Sequence, residues 1–169
     1  MILPKERDPR FILIRRGGTL ADADHRLLAL WAADCAEHVL RFFEEARPDD
    51  DRPRAAILAT RAWARGEIKV TASKVAAFQA NAAARDLRGA ARFAAYSAGQ
   101  AAVVAHVAAH DLGAAAYAIR AVMAASADTD GDARKECDWQ RAHLPESLYA
   151  LVLDDQARRN DICWNVFHF

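Results

Sequence analysis

The sequence predicts an all-α fold: one compact bundle of about six to seven helices around a central alanine-rich helix, with a short extended N-terminal segment. Three observations carry that expectation. Apolar residues recur at helical spacing along most of the chain, alanine dominates its middle third, and no low-complexity linker or fixed-period repeat divides the 169 residues. A single domain over 1–169 follows, with residues 1–18 as an extended apron.

Phe11 to Ile14 read as a short strand or extended strip that ends in a turn at Arg15, Arg16, Gly17 and Gly18. The first helix starts from Thr19 or Asp22 as cap. Leu27, Leu28, Trp31, Cys35, Val39, Phe42 and Phe43 carry it to about Arg47 and Pro48. Asp49, Asp50 and Asp51 before Pro53 predict an acidic start and a first-turn proline for the second helix, which buries Ile57, Leu58 and Trp63 and ends near Gly66. Thr71 or Ser73 opens a third helix through Val75 and Phe78 to about Ala84.

From Leu87 to about His110 the chain reads as one long central helix. Ala90, Ala94, Ala98, Ala101, Ala105 and Ala108 give it a surface of small side chains that lets neighbouring helices approach. Asp111 to Gly113 is expected to bend, and a helix through Tyr117, Ile119, Val122 and Met123 follows. Ser126 to Asp132 forms the clearest loop. Two more helices fit 132–142 and, from Pro145, 145 to about 166.

Composition narrows the function. Basic and acidic residues number 23 each, so the net charge is zero and there is no basic excess of the kind a dedicated nucleic-acid binder uses against phosphates. The same balance gives no reason to sit on an acidic membrane. The opening MILPKERDPRF has mixed charge and two prolines instead of a basic start and an apolar run, which predicts a cytoplasmic protein. Cys35, Cys137 and Cys163 are odd in number and widely spaced, which argues against a disulfide framework or a structural zinc site.

The stretch Gln100 to Ala118 is the most distinctive. His106 and His110 stand four apart in a background of alanine, valine and glycine, so one helix would carry both imidazoles on one side. Two readings stay open: a site, or a pair of core histidines bonded to the bend. HVAAH lacks the glutamate of the zinc-peptidase HExxH, and a metal at His106 and His110 would need a third ligand from Asp111, His38 or Asp34. No cofactor is implied. On an ideal helix Tyr96, Gln100, Val103, Val107 and His110 fall within about 80 degrees, a strip suited to line a pocket or to tie helices together. Asp34 and His38, four apart beside Trp31, suit a surface pair or a prepared base. No GxGxxG, P-loop, GxSxG elbow or complete calcium loop is present, and Cys35 and Cys163 sit in apolar helical contexts as small hydrophobes.

The C-terminal run RRNDICWNVFHF is apolar enough that Ile162, Trp164, Val166, Phe167 and Phe169 should dock onto the domain or onto a second copy as a homodimer contact.

Three blocks, Gly99 to Val122, Arg52 to Ile68 and Leu151 to Phe167, resemble the recurring segments of the immunity-5-like family of bacterial immunity proteins. The resemblance implies an all-helical protein tied to toxin neutralisation, with His106, His110, Gly113 and Tyr117 on the matching positions. Electrical neutrality separates the chain from acidic inhibitors of basic nucleases.

Three functions fit these observations. The first is a self-resistance protein that binds a toxin protein or a small hydrophobic molecule, with Trp31, Tyr96, Gln100, His106, His110 and Tyr117 as binding residues. The second is a small cofactor-independent enzyme with His106 or His110 as general base and Tyr117 or Tyr96 polarising an oxygen. In the third, a structural module, the histidines serve the core.

Overall fold

Helix α1, Asp22–Val39, places Asp22 and Asp24 in its first turn, where carboxylates meet the positive end of the helix dipole. Its cap position is Ala21, so Asp22 is the first helical residue and Thr19 lies outside the helix. In this computed structural model, which describes residues 2–169, Leu28, Trp31, Ala32, Cys35 and Val39 of α1 face the core. A break at Leu40 separates the short α2, Arg41–Ala46, so the expected first helix is two pieces.

Pro53 occupies the first turn of α3, Arg52–Ala64, and Gly66 ends the segment at φ +79°, a left-handed conformation that glycine adopts without strain. In α4, Val70–Ala83, Ser73 is a buried interior residue rather than a cap. Helix α5 spans Gly89–Val103 and is the centre of the bundle, packed against α1, α2, α3, α4 and α6. Ala91, Ala94, Ala95, Ala98, Ala101 and Ala102 are its buried face, and these methyl groups permit the close approach.

The central helix does not reach His110. It stops at Val103, residues 104–107 turn, and a 3-10 turn at Ala108–His110 leads directly into α6, Asp111–Ala125. Asp111 and Gly113, expected in a bend, form the first turn of α6 instead. Side chains far away in sequence stabilise the break. Ser73 Oγ donates to the Ala102 carbonyl at 2.7 Å, and His25 Nε2 donates to the Val104 carbonyl at 2.6 Å. Carbonyls that a helix end leaves without partners are thereby satisfied by α4 and α1.

Helix α7, Thr129–Ala142, is capped by Asp128, whose side chain accepts from the Gly131 backbone N–H. Helix α8, Glu146–Arg159, ends seven residues short of the expected boundary near 166. There Asn160 holds a turn: its carbonyl accepts from Asn165 at 2.7 Å and its Oδ1 accepts from Phe167 N at 2.9 Å, with Trp164 and Asn165 at positive φ. Cys163, Val166 and Phe167 of this tail are buried, whereas Trp164 is exposed.

The N-terminal apron is two 3-10 turns, Pro9–Phe11 and Ile14–Arg16, and Leu13 between them bridges to Leu20 ahead of α1; no strand forms among the described residues. Gly18 is required here, because a Cβ would collide with the Ile12 carbonyl. No helix is long and apolar enough to cross a membrane among the described residues.

Candidate functional site

A cavity of about 670 Å³ lies where the apron, the N-terminal end of α1, the 106–109 turn and the end of α8 meet. Phe11, Leu13, Val107, Ala108 and Ile162 supply apolar wall, while Lys5, Arg7 and Arg16 stand exposed around it. His25 and His106 also border it.

Arg159 builds the floor. Its Nε donates to Asp155 Oδ1 at 2.7 Å, its Nη2 pairs with Asp155 Oδ2, and its Nη1 donates to the Ala109 carbonyl at 2.9 Å and reaches the Ile2 carbonyl at 3.4 Å. One guanidinium thus joins α8, the turn before α6 and the start of the apron. The Asp111 carboxylate lies 3.6 Å from Arg159 Nη2 and is completely buried. Its Oδ1 accepts from Leu112 N at 2.6 Å, and its Oδ2 has no partner among the described residues. Burial pushes the Asp111 carboxyl up to about 7; Arg159 opposes this and Asp155 adds to it. Asp155 is raised for the same first reason, burial.

The histidines near the cavity favour their neutral forms. Burial lowers His110 to about 4, with the charges of Arg159, His106 and Arg7 adding to the effect. At His106 desolvation comes first, followed by Lys74, Arg16 and Arg7. His25 is likewise lowered by burial, against its bond to Val104. Its ring packs edge-on to Trp63 at 4.8 Å.

Of the six binding residues expected from sequence, His106 borders this cavity. The helix that would align it with His110 is absent, so the i, i+4 geometry offered to a metal at His106 and His110 does not form. His110 instead donates from Nδ1 to Gln100 Oε1 at 2.8 Å, linking the turn back to α5. Gly113 permits this: a Cβ there would stand 2.6 Å from Gln100 Oε1. Tyr96 and Tyr117 meet elsewhere, 5.3 Å apart, in a cluster with Trp164 and Phe93, where Arg120 lies 4.1 Å above Phe93 and 4.2 Å from Trp164. Trp31 is in the core and donates to the Gln140 carbonyl at 2.8 Å.

Asp34 and His38 separate as well. Asp34 accepts from Arg61 at 2.7 Å, while His38 Nδ1 donates to Glu136 Oε2 at 2.7 Å and its ring stacks on Trp139 at 3.7 Å. Glu136 is buried and also accepts from Gln140 Nε2 at 2.9 Å, so it holds the exposed imidazole from below. This dyad borders a second, more open pocket of about 430 Å³ with Arg41, Ser126 and Lys135. All three cysteines are buried and free, and burial pushes the Cys137 thiol up to about 11 and the Cys163 thiol up to about 12.

The sequence reading missed His25, Arg159 and Glu136. Position 25 extends the apolar stripe of Leu28, Ala32 and Cys35 backwards by one turn, a signal that this histidine faces inward. Arg159 and Asp155 are four apart on α8, but nothing in their local sequence separates a buried pair from a surface one.

A family model described as Imm-5 like putative immunity protein matches residues 18–147. The chain belongs to that family. No curated protein and no solved structure matches it. The matched span of the immunity protein carries α1 to α7 and ends before the Leu151 to Phe167 block. His25 and the 106–109 turn therefore come from the family span, whereas the apron up to Arg16 and the Asp155, Arg159 and Ile162 wall lie outside it.

Proposed function

We propose that this immunity protein protects its producer by sequestering a toxic small molecule in the cavity beneath the apron, without converting it. The cavity itself carries the proposal. Its volume of about 670 Å³ falls within the range of small-molecule sites, roughly 300–1,000 Å³, and its surface is mainly apolar by area, with charged and titratable side chains set around it. Binding needs no nucleophile, which agrees with cysteines held as buried thiols and with His25 and His110 engaged in structural bonds.

Growth protection tests this. Sensitive cells expressing the chain should survive small-molecule extract of the producing organism, and Val107→Trp, which fills the cavity, should abolish survival. Equal protection by the folded variant would refute sequestration at this cavity.

A catalytic role is supported by the His38–Glu136 dyad, in which a buried carboxylate orients Nδ1 and leaves Nε2 for proton transfer. That role requires His38→Ala to lose protection while Val107→Trp keeps it.

A further inference from the structure

Charge is unevenly placed in a chain whose total is zero. The charged and titratable groups around the cavity are Lys5, Arg7, Arg16, Arg159, Asp8 and Asp155, with His25 and His106. Both carboxylates are already taken. Asp8 accepts from Arg10 Nη2 at 2.6 Å, and Asp155 is held by Arg159. Lys5, Arg7 and Arg16, in contrast, make no ion pair among the described residues, although Arg15 beside them pairs with Asp22 at 3.2 Å. Three cations without an ion-pair partner among the described residues therefore border a cavity whose apolar wall holds Phe11, Leu13, Val107 and Ile162.

Resting on the sequestration proposed above, we infer that the cavity takes an amphipathic anion: an apolar body against Phe11, Leu13, Val107 and Ile162, with one anionic head at Arg7, Arg16 and Lys5. Such a molecule gains from both halves of the site. The body leaves water for an apolar wall, and the head finds guanidinium and ammonium donors that no protein carboxylate occupies. A cation would meet the field of three like charges, and a wholly polar solute would leave the apolar wall unused. Arg16 and Arg7 also reach the exposed His106 at the cavity edge, where, after desolvation and Lys74, they disfavour its proton. The span outside the family match supplies every one of these cations, so the head-group preference belongs to the apron rather than to the shared helical core.

Calorimetric titration of the full chain with decanoate, decyl phosphate, decanol and decyltrimethylammonium tests the inference. At least one anion should bind about tenfold or more tighter than decanol, the gain expected of a charge-assisted hydrogen bond, and decyltrimethylammonium should bind weakest. In Arg7→Gln/Arg16→Gln, checked for an unchanged melting curve, the gap between that anion and decanol should fall to about twofold, and high salt should narrow it in the wild type. Decanol binding as tightly as both anions, or an unchanged gap in the folded double variant, overturns the anionic head while leaving sequestration standing. If no probe binds, the amphipathic anion is overturned, and growth protection decides sequestration separately.

Discussion

Arg159 Nη2 lies 3.6 Å from Asp111 Oδ1, joining the end of α8 to the first turn of α6 at the floor of the cavity. Neither residue is accessible to water to any useful extent, so the pair and Asp155 share a site with two carboxylates and one guanidinium. Burial of such a group is tolerated because Arg159 also meets the Ala109 carbonyl.

Arg159→Met should therefore be costly, because it leaves two buried carboxylates without a cation. A loss of about 3–5 kcal/mol is expected in urea denaturation, the range for removing one partner of a buried pair. Asp111→Asn keeps the shape, leaves Arg159 with Asp155 and removes the buried charge whose Oδ2 has no hydrogen-bond partner among the described residues, and should cost much less.

Stability should depend on pH in two opposite ways. Asp111 is raised from 3.8 to about 7, so the stability linked to its protonated form is fully present below its unfolded value and is lost as pH rises through about 7. His110 is lowered from 6.5 to about 4, so its contribution is present above 6.5 and is lost as pH falls through about 4. Denaturation midpoints across this window should show the loss as pH rises from about 4 to about 7 in the wild type and its reduction in Asp111→Asn.

His25→Ala should destabilise the α5–α6 break by about 1–3 kcal/mol, the cost of leaving the buried Val104 carbonyl unsatisfied. Hydrogen exchange should quicken at the amides of residues 104–110 more than in α3 or α7.

Gly18→Ala should loosen the apron selectively. Its Cβ would meet the Ile12 carbonyl, which cannot move without disturbing the bond from Leu20 N to that oxygen, 2.9 Å long. Exchange at Ile14 and Leu20 should accelerate while the α5 amides keep their protection, and cavity binding should weaken with the apron.

The helical content was legible because periodicity and punctuation act locally: Pro53 starts α3, Asp128 caps α7, and Ala94, Ala98 and Ala101 of α5 are buried as their spacing requires. The break after Val103 was not. Alanine-rich sequence supports a helix through 104–110, and only the bonds from Ser73 and His25, which arrive from other helices, make the turn preferable. The same reasoning applies to α8, where Asn160 ends the helix by binding backbone five and seven residues ahead. Site legibility was lower still. His106 was found from its polar character in an apolar run, whereas Lys5, Arg7 and Arg16 are ordinary surface charges until the apron folds them around one cavity.

Native mass spectrometry of the protein purified gently from its own host tests the central claim most directly. The intact wild type should carry a few hundred daltons that are released on denaturation and are absent from Val107→Trp. A bare chain, or a protein-sized partner retained equally by that variant, would contradict sequestration of a small molecule in the cavity.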